Sequence, residues 1–79
     1  MRIKVKYFAV LREEADRNDE EISDNFSNAF ELYQFLRSKY QFSLTDSEIK
    51  VAINGEYQDF KTQLKDGDII TFIPPVAGG

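Results

Sequence analysis

The sequence closes on Phe72-Ile73-Pro74-Pro75-Val76-Ala77-Gly78-Gly79, and this ending is where its residue types invite chemistry. Pro74 cannot donate to a β-ladder, so a strand running into it should stop there. Two consecutive prolines fix φ and favour polyproline II, which carries a chain stiffly away from a domain. At about 3.1 Å per residue, the six residues from Pro74 reach on the order of 20 Å. Gly78 and Gly79 carry no side chains, so the backbone can enter a narrow cleft. The expectation is a rigid arm, residues 74–79, with a carboxylate on an unobstructed tip. A carboxylate is a poor electrophile; acyl chemistry at Gly79 requires prior activation as an acyl phosphate or adenylate, with a partner supplying the activation and the cleft. The competing reading is a frayed terminus. A Gly-Gly ending alone carries little weight, but joined to a double proline after an apolar strand it points to function.

The rest of the inventory narrows the chemistry. There is no cysteine, which excludes a disulfide framework and any Cys-based metal site. Any sulfur this chain handles therefore cannot ride on a side-chain thiol. Histidine is also absent, removing the usual general base near neutral pH and the commonest zinc ligand. Stand-alone catalysis and a bound cofactor are accordingly not expected. The net charge is −4, and half of the 14 acidic residues fall between Glu13 and Asp24. That distribution argues against a nucleic-acid backbone as partner. The acidic stretch is either a solvated face or a surface steering a basic partner. Nothing resembles a signal peptide, and no apolar run approaches the roughly 20 residues needed to cross a bilayer. A cysteine-free chain suits a reducing cytoplasm, the expected location.

Seventy-nine residues, 42% of them hydrophobic, suffice for one small core. Residues 2–8 alternate, with Ile3, Val5 and Tyr7 on one side and Arg2, Lys4 and Lys6 on the other, predicting a half-buried strand. Residues 9–17 predict a short helix or turn, and residues 20–23 a second strand. Asn28 is placed to cap the main helix, with Glu31 able to reach back to the free amides. Ala29, Leu32, Tyr33, Leu36 and Tyr40 recur at helical spacing and form its apolar stripe, flanked by semi-buried Phe30 and Phe35. Ile49, Val51 and Ile53 alternate with Lys50 and Ala52 in a third strand. Asn54-Gly55 then predicts a tight hairpin and residues 57–60 the return strand. Asp66-Gly67-Asp68 predicts another turn before a last strand, residues 69–73, with Ile70 and Phe72 inward. The order implies an α+β domain, residues 1–73, whose sheet wraps one helix. The two terminal strands are the most strand-like and are expected to pair in parallel.

At this point the sequence resembles a known family, the small subunits of molybdopterin synthase, which are ubiquitin-like β-grasp sulfur carriers. The likeness spans essentially the whole chain. It is carried by Leu64-Lys65-Asp66-Gly67-Asp68 together with the Pro-Pro-Val-Ala-Gly-Gly ending. Tyr7-Phe8-Ala9 with Arg12-Glu13, and Val51-Ala52-Ile53-Asn54-Gly55-Glu56-Tyr57, add to it. The resemblance implies that an E1-like enzyme consumes ATP to adenylate Gly79 and that a sulfur donor converts it to a thiocarboxylate. The tail, Pro74, Pro75, Val76, Ala77, Gly78 and Gly79, would then enter the large synthase subunit and pass sulfur to a cyclic pterin precursor. The family complex is a heterotetramer. The resemblance also implies a contact patch of Phe8, Tyr57 and Ile73, with Arg12 available to an acidic partner. Against this, Phe8 can pack on the segment from Val10 onward, Tyr57 can be a plain edge-strand aromatic, and Arg12 a solvated arginine. Two further functions share the tail chemistry: a sulfur carrier for thiamine, cysteine or tRNA thiolation, and a protein modifier conjugated through Gly79.

Overall fold

The computed structural model describes residues 1–75; Val76, Ala77, Gly78 and Gly79 lie outside the described residues. Among the described residues, five strands and two helices run in the order β1 (Arg2–Tyr7), α1 (Ala9–Ala15), β2 (Asp19–Ser23), α2 (Ala29–Tyr40), β3 (Lys50–Ile53), β4 (Glu56–Gln58) and β5 (Ile69–Ile73). A single 3₁₀ turn, Asp46–Glu48, precedes β3. The sheet order is β2-β1-β5-β3-β4. β1 and β5 pair in parallel, Tyr7 opposite Phe72, as the two terminal segments predicted; the other pairings are antiparallel.

One face of the sheet packs on α2, where Ile3, Val5, Tyr7, Val51, Ile70 and Phe72 meet Ala29, Leu32, Tyr33 and Leu36. All are essentially inaccessible to solvent. Period 2 in the strands and period 3.6 in the helix bring these residues to one layer. Asn28 caps α2 as expected: its Oδ1 accepts from the Glu31 amide at 2.9 Å, and the Glu31 carboxylate accepts from the Ser27 amide at 2.8 Å. Asn54 and Gly55 take φ of +53° and +86°, forming the predicted hairpin, and Gly67 takes +87° in the second turn.

Three local expectations differ from the structure. Ile49 is buried but lies outside β3, where it closes the 3₁₀ turn. Ala52 is buried although it alternates with inward residues. It sits in a cross-strand row between Thr71 and Tyr57, whose larger side chains can shield so small a neighbour. The return strand is shorter and earlier than residues 57–60, because the hairpin turn is two residues and Phe60 instead leaves the edge to pack on the core.

Candidate functional site

The tail leaves the sheet where β1 and β5 end side by side. Pro74 follows β5 directly and is buried, so among the described residues only Pro75 stands free of the domain. On one flank an open groove of 630 Å³ is lined by Phe8, Ala9, Val10, Leu44, Ile73, Pro74 and Pro75. Every one of these side chains is apolar. On the other flank a second groove of 320 Å³ shares Ile73, Pro74 and Pro75 and adds Ser47, Glu48, Ile49, Lys50 and Tyr57. The tail root is thus a ridge between an apolar channel and a mixed one. Such a surface can be gripped from both sides by a partner that receives the tail.

The predicted contact residues divide between the two flanks. Phe8 is 48% exposed, a large share for a phenylalanine, and shares the apolar groove with Val10. Phe8 thus borders the same groove as Val10 while about half of it faces outward. Tyr57 is 69% exposed on the edge strand β4 and lies on the opposite flank from Phe8. Ile73 borders both grooves. Arg12 is exposed on α1, has no carboxylate within 4.0 Å among the described residues, and lines neither groove. Gly78, Gly79, Val76 and Ala77 fall outside the described residues. Sequence reasoning missed Val10, Leu44 and Lys50. An apolar residue beside Phe8 was a usable signal for Val10, whereas Leu44 sits in a loop with no periodicity to flag it.

What holds the end of β1 is a polar cluster beneath this surface. The Glu20 carboxylate, on β2, accepts hydrogen bonds from the Tyr7 and Tyr40 hydroxyls, each at 2.5 Å. Its other oxygen faces Arg17 at 3.3 Å and Lys39 at 3.8 Å. The same two cations lie over the Tyr40 ring. Burial works to raise the Glu20 pKa, but the two phenol hydrogen bonds and the two cations outweigh it, leaving the carboxyl below its ordinary value. Burial and the anionic neighbour push Tyr7 upward and Tyr40 up to about 12. Tyr7 also donates its amide to the Asn18 carbonyl at 2.9 Å. In the second groove Glu48 is held below the usual carboxylate range by hydrogen bonds from the Thr45 amide and hydroxyl, at 2.9 and 3.0 Å. Lys50 lines the same groove.

The described residues bring together no group of three or more His, Cys, Asp or Glu side chains placed to hold a metal ion. The site presents an apolar, partly charged platform at the root of the tail.

Comparison with known proteins accounts for that arrangement. Residues 5–79 match the ThiS family. The chain belongs to this family. The molybdopterin synthase sulfur carrier subunit of Chlamydomonas reinhardtii is 38% identical over 84 residues, covering 100% of both chains. Among solved structures, the complex of subunits 1 and 2 of molybdopterin-converting factor from Helicobacter pylori contains a chain matching with a TM-score of 0.71 and 29% identity, covering 100% of each. The small archaeal modifier protein 1 of Methanosarcina acetivorans matches with a TM-score of 0.77 and 29% identity, over 99% of this chain and 96% of that one. The fold is the ubiquitin-like β-grasp shared by these proteins, as the sequence resemblance implied.

Proposed function

We propose that this ThiS-family chain is the sulfur-carrier subunit of a molybdopterin synthase. The observation that carries the reading is the 38% identity to such a subunit across the full length of both chains. The platform at the tail root supplies a physical reason for it, since a carrier must dock before its terminus can react. The chemistry then runs through partners. An E1-like enzyme brings ATP to the Gly79 carboxylate, whose oxygen attacks the α-phosphorus and expels pyrophosphate. A sulfur donor delivering the equivalent of hydrosulfide attacks the acyl carbon and displaces AMP, leaving a thiocarboxylate. That group is ionised at neutral pH and soft, so it is a far better nucleophile than a carboxylate. In the large subunit its sulfur attacks an electrophilic carbon of the cyclic pterin precursor, forming a C–S bond. A C–O bond at that carbon breaks, and the oxygen leaves with a proton supplied by the large subunit. Water then cleaves the acyl carbon–sulfur bond, returning the carboxylate and leaving sulfur on the product. Two carriers supply two sulfurs. The large subunit provides the acid–base groups that this chain lacks, and the carrier itself needs no resident cofactor. A reducing cytoplasm suits both the thiocarboxylate and a cysteine-free carrier.

The test is reconstitution. The chain bearing a Gly79 thiocarboxylate, mixed with a molybdopterin synthase large subunit and the cyclic precursor, should yield molybdopterin, read by the fluorescence of its oxidised pterin. Absence of product with a competent large subunit would reassign the carrier to another thiolation pathway. The likeness to the Methanosarcina acetivorans modifier supports a second reading, conjugation through Gly79 to lysines of other proteins. A ladder of conjugates in cell extract that disappears on deleting Gly79 would favour it.

A further inference from the structure

Among the described residues, four other than glycine adopt positive φ: Ala9, Asp16, Gln41 and Asn54. Three have an ordinary local cause. Asp16 and Gln41 close α1 and α2, where a left-handed residue ends the helix, and Asn54 begins an Asn-Gly hairpin turn. Ala9, with φ of +50°, is different: it opens a helix, directly after the extended residue Phe8. Helix starts call for no left-handed residue, and alanine has no polar side chain to support one. Its flanks are pinned, however. On one side Tyr7 is buried, with its hydroxyl on Glu20 and its amide on Asn18. On the other Leu11 is fully buried and donates its amide to the Phe8 carbonyl at 3.1 Å. Backbone conformations of this kind persist when their surroundings over-determine them, and they gather at functional sites.

We propose that Ala9 is a positioning residue for partner docking, its left-handed backbone turning Phe8 and Val10 together onto the apolar groove beside the tail root. The two alternatives available to the chain would separate them. Continuing β1 would carry Val10 about 6–7 Å past Phe8, beyond the sheet end. Starting the helix directly after Tyr7 would point side chains two positions apart about 200° away from one another. With the bend, both line the channel that Pro74 and Pro75 border. The inference rests on the docking role proposed above, because the groove matters only if a partner occupies it.

The test is a double-mutant cycle on affinity for a molybdopterin synthase large subunit, using full-length chain. Ala9→Val adds apolar surface but resists positive φ, and should weaken binding at least about tenfold. Ala9→Gly permits the same backbone, and should bind within about threefold of the unaltered chain. In a Phe8→Ala background, Ala9→Val should add less than about threefold, because its effect passes through Phe8. Unchanged binding by Ala9→Val, or an equal loss with and without Phe8, would overturn the inference. If Ala9→Val does not fold, Ala9→Gly remains decisive: a loss as large as that of Phe8→Ala would show that the methyl group, not the bend, is used. Nuclear Overhauser contacts from Val10 to Pro74 and Pro75 in the free chain separate the two failures. Contacts present in a chain that binds no large subunit would sink the docking role; contacts absent from a chain that does bind would sink the bend.

Discussion

Replacing Glu20 with alanine should cost this domain a large part of its stability, even though the residue lies on an edge strand. The substitution leaves the Tyr7 hydroxyl, within a fully buried side chain, without its acceptor. Hydrogen bonds to charged groups contribute about 1.5–3 kcal/mol, and that is the main loss. Tyr40 is only partly buried, so water can replace its bond at a cost of about 0.5–1 kcal/mol. Arg17 and Lys39 have side chains nearly half exposed, and solvent screening leaves their pairing at about 0–1 kcal/mol between them. The expected loss is about 2–5 kcal/mol, against roughly 4–12 kcal/mol for a domain of this length. In Tm this is on the order of 10–40 °C. Urea and thermal unfolding followed by circular dichroism measure it directly, with Tyr40→Phe as comparator at below about 1 kcal/mol. A loss under about 0.5 kcal/mol for Glu20→Ala, or equal losses for the two variants, would refute the assignment of Glu20 as the hub.

Further expectations follow from the same structure. Because the folded Glu20 carboxyl sits below its ordinary value of 4.5, its contribution is present above that pH and lost as pH falls through the folded value. Glu20→Gln should therefore flatten the acid limb of a stability–pH curve; an unchanged limb would contradict this. Tyr7, Tyr33 and Tyr40 shift the opposite way, the latter two to about 12, so their contribution is intact below pH 10 and lost as pH rises through the folded values. Urea midpoints should fall steeply above pH 10, and less steeply in Tyr40→Phe; parallel curves would remove Tyr40 from the account. Phe8→Asp should lower affinity for the large subunit at least about tenfold with Tm nearly unchanged, since the side chain is half exposed. Titration calorimetry showing equal affinity would remove Phe8 from the docking surface. Extending the chain past Gly79, or replacing Gly78 with tryptophan, should abolish sulfur transfer while circular dichroism stays the same. Transfer by the extended variant would sink the tail mechanism.

Much of this architecture was legible because each core element carries its own period. The alternation from Ile3 to Tyr7, the stripe from Ala29 to Leu36 and the Asn54-Gly55 turn each rest on a local rule that the tertiary structure reinforces. The errors arose where neighbours in space decide. Ala52 is buried by the strands beside it, and nothing in its own segment announces that. Tyr40 packs against the core as its helical spacing predicts, but its hydroxyl also bonds Glu20, which β2 brings to it from twenty residues away. The site was half legible. Strand parity turns Phe8 and Ile73 outward and the chemistry of Pro74 ends the strand, but the left-handed bend at Ala9 has no sequence signature, since alanine has neither the freedom of glycine nor the polar side chain of asparagine that would announce it. That Tyr57 and Phe8 occupy opposite flanks follows from strand order, which a linear reading does not fix.

The central claim is that sulfur rides on the C-terminal carbonyl of Gly79. Intact-protein mass spectrometry after incubation with ATP, an E1-like activating enzyme and a sulfide source tests it most directly. The account predicts a mass gain equal to one oxygen replaced by sulfur, localised to Gly79 by fragmentation and absent when ATP is omitted. An unchanged mass in the presence of an enzyme that thiolates another carrier would contradict it.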